Sequence, residues 1–211
     1  MYFPKALGGL LCLLPVVSSS PAPLSKRSLQ PLPFSSSDRW IVDAANNHVP
    51  YVGINWPGAA ETMLPEGLSY RSIADIVGVV SETGFNAVRL TFAIEMVDDI
   101  LDNGGDVSLS DTLKNALGET NGTVVLQNIL THNPQFTADT TRLQVFDAVA
   151  QELAAQSIYL HLDNHVSNAT WCCSLTDGNS WFGDTYFDTD KWIRGLSYMV
   201  AHVSHSGNTY L

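Results

Sequence analysis

The chain has 211 residues, 45% of them hydrophobic and 15% charged, with 21 acidic side chains against 10 basic ones and a formal net charge of −11. With 8 Phe, 7 Tyr and 5 Trp it is too apolar for a disordered tail, and its acidity argues against a nucleic-acid or anionic-membrane partner, since either needs a basic surface. The expectation is one soluble, globular domain.

Residues 1–20 place Lys5 before the apolar run Ala6–Val17 (ALGGLLCLLPVV) and end in Ser18, Ser19 and Ser20, the layout of a secretory signal peptide. The run falls short of the roughly 20 apolar residues that span a bilayer. Residues 21–37 form a Pro/Ser-rich pro-segment or linker, in which Lys26-Arg27 is either a dibasic processing site or a charged pair in a disordered stretch. Two cuts would leave residues 28–211, with 7 basic residues against 21 acidic ones and a net charge of −14.

A secreted, extracellular location changes how the cysteines read. Cys12 leaves with the signal peptide, and the adjacent Cys172 and Cys173 remain as a candidate vicinal disulfide, as buried thiols, or without partners. Two adjacent cysteines do not make a structural zinc site, which takes four ligands. The sequons Asn121-Gly122-Thr123 and Asn168-Ala169-Thr170 are candidate glycosylation sites.

From residue 38 no composition break or fixed-period repeat divides the chain. Asp38–Asn55 predicts a hairpin, with Trp40, Ile41 and Val42 before the turn and Val49, Tyr51, Val52 and Ile54 after it. A polar, Gly-rich loop (WPGAAETMLPEG) follows. Ser69–Thr83 then carries Ile73, Ile76, Val77 and Val80 on one helical face, with Gly84 at its carboxyl end. Asn86–Phe92 (NAVRLTF) is a strand of the kind buried on both faces.

A segment of about 45 residues, 93–138, comes next; in a compact domain so long a loop is functional or holds further elements, Leu109–Leu117 being one candidate helix. Asp139–Gln156 has Leu143, Phe146, Val149, Ala150 and Leu153 at helical spacing, and Ser157–Asp163 (SIYLHLD) is a third strand. After an aromatic loop, a helix from about Asp188 to Val203 directs Trp192, Ile193, Leu196, Met199 and Val200 inward. This alternation implies an α/β fold with parallel strands, as an open doubly wound sheet or a barrel. No Gly-rich phosphate loop follows any strand, so no nucleotide or other cofactor is expected.

Ligands of parallel α/β folds sit beyond the carboxyl ends of the strands. Four groups gather there: Asn55-Trp56, Arg89, Asp163-Asn164-His165, and Trp171 with Trp181. Arg89 lies inside an apolar strand and requires an acidic or hydrogen-bonding partner, whether for a ligand or for a structural ion pair. Asp163, Asn164 and His165 offer an acceptor, an amide and an imidazole, suited to sugar hydroxyls or simply to a strand-ending turn. His161 and His165 lie about 13 Å apart on an extended strand, too far for one metal ion. The acidic run Asp98–Asp106 misses the EF-hand spacing and reads as a solvated turn. Trp56, Trp171 and Trp181 either cap the core or stack on a sugar ring.

The ordered set VPYVGINW, GFNAVRLTF, YLHLDNHVS, the WCCS and GDTYFD loop and the WIRGLSYM helix, from roughly Trp40 to Val203, resembles the secreted, cellulase-like enzymes of glycoside hydrolase family 5. The resemblance implies a (β/α)8 TIM barrel and retaining hydrolysis of O-glycosyl bonds in β-linked glucan, with the oligomeric state open. It places Arg89 and His165 in the sugar-binding site, Asn55 and Asn164 as supporting polar groups, and Trp56 and Trp171 as stacking platforms. In that family the acid/base glutamate follows an asparagine at the end of strand four, and the nucleophile comes from strand seven.

After the last helix this sequence reads HVSHSGNTYL, so both glutamates are expected beyond Leu211 and none of the residues present is assigned as catalytic. Glu95 and Asp163 are the carboxylates left near the mouth, and nothing raises Glu95 above a loop acid. A closed barrel takes about 250 residues. The expectation is therefore a barrel truncated after about its third strand–helix unit and inactive by itself; the alternatives are a secreted, non-catalytic carbohydrate-binding protein and an unfolded fragment.

Overall fold

The structure, a computed structural model, describes residues 29–171, 174, 176–179 and 181–206. The expected signal peptide, the Lys26-Arg27 site and the Cys172-Cys173 pair lie outside the described residues.

The chain enters through a hairpin of β1 (Ser35–Ser37) and β2 (Trp40–Val42), paired antiparallel with Ser36 opposite Ile41. Asp38 turns the corner with a positive φ of 53°. This differs from the hairpin expected over 38–55. The Asp43 carboxylate accepts the amides of Ala45 (2.9 Å) and Asn47 (2.8 Å), which curls the chain so tightly that only a single bridge, Val42 to His48, forms ahead. Residues 35–37, read as linker, are part of the fold. The Gln30 amide donates to the Tyr159 hydroxyl at 2.6 Å, and the Phe34 ring meets Tyr159 edge-on with centroids 5.4 Å apart.

β3 (Gly53–Trp56) leads through a loop to α1 (Ile73–Glu82), shorter than the predicted helix because the Ser72 hydroxyl caps it by accepting the Asp75 amide at 3.0 Å. Gly84, at φ 93°, takes the left-handed conformation that ends it. β4 (Ala87–Ala93) follows, and the long segment after it is helical: α2 (Ile94–Asn103), α3 (Leu109–Leu117) and α4 (Glu119–His132). α3 and α4 pack backbone to backbone at Gly122, where a Cβ would stand 2.7 Å from the Leu113 carbonyl oxygen. α5 (Arg142–Ala155) opens on a Thr141–Gln144 capping box, β5 (Tyr159–Val166) extends three residues past its predicted end, and α6 (Thr189–Ser206) completes the described chain.

β3, β4 and β5 form one parallel sheet in that order, with β4 central. Val88, Leu90 and Phe92, alternate residues of β4, are buried in one core with Val77 of α1 and Phe146, Val149 and Leu153 of α5. Burying each such side chain contributes about 1.5–3 kcal/mol. β3 and β5 are each paired on one side only among the described residues, so the sheet is an α/β layer that does not close into a barrel there.

Two further expectations are corrected. Asp98–Asp106 is not a solvated turn: most of it is α2 and its acids form ion pairs. Asp98, 9% exposed, meets Arg194 and, at 3.2 Å, Lys191 of α6; Asp99 and Asp106 meet the buried guanidinium of Arg142 at 2.8 and 3.1 Å. On α6, Met199 is buried but Ile193 and Val200 are exposed. The helix is rotated because it approaches α2 through Gly195, where a Cβ would lie 2.6 Å from Ile94 Cδ1.

Removing one partner of a buried, paired charge costs about 3–5 kcal/mol. Arg142→Ala should therefore lower unfolding stability by about 3 kcal/mol in urea titration; a loss under about 1 kcal/mol would contradict the role given to this residue.

Candidate functional site

Successive side chains of a strand point to opposite faces. The register sets Asn55 beside Arg89 beside His161, and Thr91 beside Asp163. These residues share the face opposite the one that carries Leu90 and Phe92 into the core. An irregularity after Phe92 in the β4–β5 pairing precedes His165, which joins the same cluster. Asp163 Oδ2 accepts from Arg89 Nη2 at 2.7 Å and from His165 Nδ1 at 2.9 Å, and the two donors are 3.3 Å apart. The contact with the Asp163 carboxylate assigns a proton to His165 Nδ1. The Asp163 side chain is 17% exposed and that of Arg89 40%, so the carboxylate is the sheltered partner and the guanidinium the accessible one.

Above this cluster opens a cavity of about 180 Å³. Its floor is Asn55, Arg89, Thr91 and His165; one wall is the loop carrying Pro57, Ala59, Ala60 and Glu66; the other is Thr170 and Trp171. The first wall is tied down by Thr91, whose Oγ1 accepts the amides of Gly58 (2.8 Å) and Ala59 (3.2 Å). Only glycine fits at 58, because a Cβ would come 2.5 Å from the Thr91 carbonyl oxygen.

The second wall hangs on two carboxylates. Glu95 Oε2 accepts the Ala169 amide at 2.6 Å, and Glu61 Oε1 accepts the Trp171 amide at 3.2 Å and the Thr170 hydroxyl at 3.4 Å. Glu61 is held below the usual carboxylate range, chiefly by its own backbone amide and then by those of Trp171 and the Thr170 hydroxyl, against a smaller opposing effect of burial. Glu66 is pushed the other way, first by burial and then by the charge of Glu61.

The structure thus brings together Asn55, Arg89, His165 and Trp171, the last 67% exposed at the rim. It does not bring in Trp56, which is 6% exposed and donates Nε1 to the Glu66 carbonyl at 2.9 Å. Trp56 caps the core and is no stacking platform, because it neighbours Asn55 on a strand and must face the other way. The same alternation sends Asn164 away from Asp163 and His165. It lines a neighbouring cavity of about 210 Å³ that His165 also borders, with Asn179, Phe182 and Trp192, and its Oδ1 has no hydrogen-bond partner among the described residues.

Trp181 is 61% exposed and lines neither of these cavities. Glu95 and Asp163 do not form a pair: the first faces a third cavity beside Asp99 and Arg142, and the second is engaged by Arg89 and His165. Both sequon asparagines, Asn121 in the first turn of α4 and Asn168 after β5, are exposed. The sequence reading missed Glu61 and Glu66; their one signal was two acids in the loop that follows a strand's carboxyl end.

No protein-family model matches the chain. A glycosyl hydrolase 5 family protein from Chamaecyparis obtusa is 32% identical over 206 residues, which cover 97% of this chain and 34% of that relative. The chain therefore spans about a third of the length of the curated relative it matches. Among solved structures, the catalytic domain of the major endoglucanase from Xanthomonas campestris pv. campestris has a TM-score of 0.60 at 22% identity, covering 84% of this chain and 43% of that one. A variant of the endocellulase from Pyrococcus horikoshii, solved as a cellotetraose complex, has a TM-score of 0.59 at 17% identity over 87% and 42% of the two chains. At these identities the structures speak for the fold, which is similar to that of endoglucanase catalytic domains. Sequence and fold agree, and the chain is a relative of the glycoside hydrolase family 5 proteins, matching part of one of them along nearly the whole of its own length.

Proposed function

We propose that this chain is the glucan-gripping, amino-terminal portion of a secreted, retaining glycoside hydrolase that acts on O-glycosyl bonds of cellulose-like β-glucan, and that alone it binds the glycan without cleaving it. The observation that carries this is the convergence of Arg89, His165 and Asn55 on one cavity beside the exposed ring of Trp171. An aromatic face takes the apolar side of a sugar ring, while a fixed guanidinium, imidazole and amide meet its hydroxyls. The family resemblance of the sequence and the endocellulase-like fold support the substrate class. Three parallel strands, with β3 and β5 each paired on one side, suit the first arc of a (β/α)8 barrel.

Retaining hydrolysis takes two carboxyl groups about 5–5.5 Å apart across the scissile bond. Among the described residues this cavity is lined by a single carboxylate, Glu66. Asp163 is committed to Arg89 and His165, and Glu95 to the Ala169 amide. In the enzyme the acid/base and nucleophile glutamates come from later strands, and the cluster here orients the sugar toward them. The lone carboxylate also favours a second reading, a secreted carbohydrate-binding protein. An apolar strand ending in Asn-Glu downstream of codon 211 would decide for the enzyme.

Titration of the purified chain with cello-oligosaccharides should quench tryptophan fluorescence, and Trp171→Ala should weaken binding about tenfold, or ~1.4 kcal/mol. No response up to millimolar ligand would refute the binding function. No reducing sugar should be released from soluble β-glucan; release that disappears in Asp163→Asn would show that the chain carries its own catalytic group.

The depressed Glu61 also makes a prediction about pH. A carboxylate whose folded pKa lies below its unfolded value of about 4.3 contributes fully above that value and loses its contribution as pH falls through the folded one. The Trp171 amide should therefore stay protected from hydrogen exchange at mildly acidic pH and lose protection only as pH falls below the ordinary glutamate range, while Glu61→Ala should leave it unprotected at every pH.

A further inference from the structure

The carboxylates around the cavity differ in what they have left to offer. Glu61, Glu95 and Asp163 each accept hydrogen bonds from the protein. The carboxylate of Glu66 accepts none from the described residues, although it is half-buried and lines the cavity. A sheltered carboxylate without donors is costly unless something outside the protein supplies them. Its placement is also fixed by its own backbone: the Glu66 amide donates to the Pro57 carbonyl at 2.9 Å, and its carbonyl accepts Nε1 of the buried Trp56 at 2.9 Å. The side chain thus projects from a braced segment, as a binding group should.

The chemistry of the remaining lining says what Glu66 would bind. Arg89 is a donor only, Asn55 is both donor and acceptor, and His165 has one of its ring nitrogens turned to Asp163. Glu66 is the acceptor-only group among the described lining residues, and it matches ligand hydroxyls that donate. The charges facing it are Arg89 across the cavity and Glu61 on its own loop, with Asp163 behind Arg89. Asp163 offsets the charge of Arg89, so the unbalanced charge at the cavity is that of Glu66.

We infer that Glu66 is a specificity-determining residue of this cavity: its carboxylate accepts hydrogen bonds from adjacent hydroxyls of a neutral sugar ring held against Trp171, and it repels sugars that carry a carboxylate. This rests on the glucan-binding reading and adds a discrimination to it, neutral glucosyl over uronosyl units. Burial and then the neighbouring Glu61 charge lift Glu66 above the ordinary glutamate range, the expected cost of a sheltered carboxylate without donors from the described residues.

The test is calorimetric titration of the full chain at neutral pH with cellotetraose and with its counterpart oxidised to uronic acids at C6, for the wild type, Glu66→Gln, and Glu82→Gln as an exposed control on α1. The wild type and the control should prefer cellotetraose at least tenfold. Glu66→Gln should bind cellotetraose about tenfold more weakly, lose the preference for the neutral sugar and keep the wild-type melting temperature. If the wild type binds cellotetraose and Glu66→Gln matches it in affinity and preference, the role of Glu66 is overturned and glucan binding stands. If the wild type does not bind cellotetraose, both fall. Should Glu66→Gln fail to fold, the wild type still decides: equal affinity for the two sugars overturns the proposal.

Discussion

The guanidinium of Arg142 is buried at the first turn of α5, and a charge can stay there only if the surrounding chain brings partners to it. Asp99 comes from α2 and Asp106 from the link to α3, while the Met96 carbonyl and the Met63 sulfur take further N–H groups at 3.3 Å each. The second oxygen of Asp106 accepts the Leu143 amide at 2.7 Å, one of the amides that a helix start leaves without a partner. One cation therefore fixes the helical excursion after β4, the start of α5, and the loop after β3 in which Met63 lies. Both cavity walls depend on these segments, since Glu61 belongs to the Met63 loop and Glu95 to α2.

The site follows from that bracing together with strand alternation. The sheet supplies a floor of polar groups whose spacing is set by backbone hydrogen bonds, and the loops supply walls held by carboxylates and by Thr91. Asp163 orients two donors at once and is consumed in doing so. The division explains how one mouth can be rich in acids and still present a single carboxylate to a ligand.

Much of this was legible in the sequence, for identifiable reasons. Arg89 stood out because a charge inside NAVRLTF demands a partner, and Asp163 and His165 are that partner and its neighbour. Trp56 was misplaced although the period-two rule was available: it adjoins Asn55 on a strand and so must face away from it, and the same rule turns Asn164 to a neighbouring cavity that His165 also borders. The helix that takes in Asp98, Asp99 and Asp102 was obscured by its acids, which read as solvent-loving until Arg142, Lys191 and Arg194 approach them from distant positions. The pairing of Ser35–Ser37 has little strand propensity behind it, and the rotation of α6 hinges on Gly195 meeting Ile94. Glu66 carried only the weak signal of an acid in a loop after a strand, and its placement depends on the indole of Trp56, which donates to its carbonyl.

Tyr159 gives the molecule a polarity of its own. At the first residue of β5 it takes the Gln30 amide, packs edge-on against Phe34 and stacks on Tyr51, whereas Asp163 and His165 lie toward the strand's other end. The eight residues of β5 separate its two ends by about 23 Å. The segment 30–34 and the cavity thus occupy opposite poles of one sheet, joined by the rigidity of the strand between them.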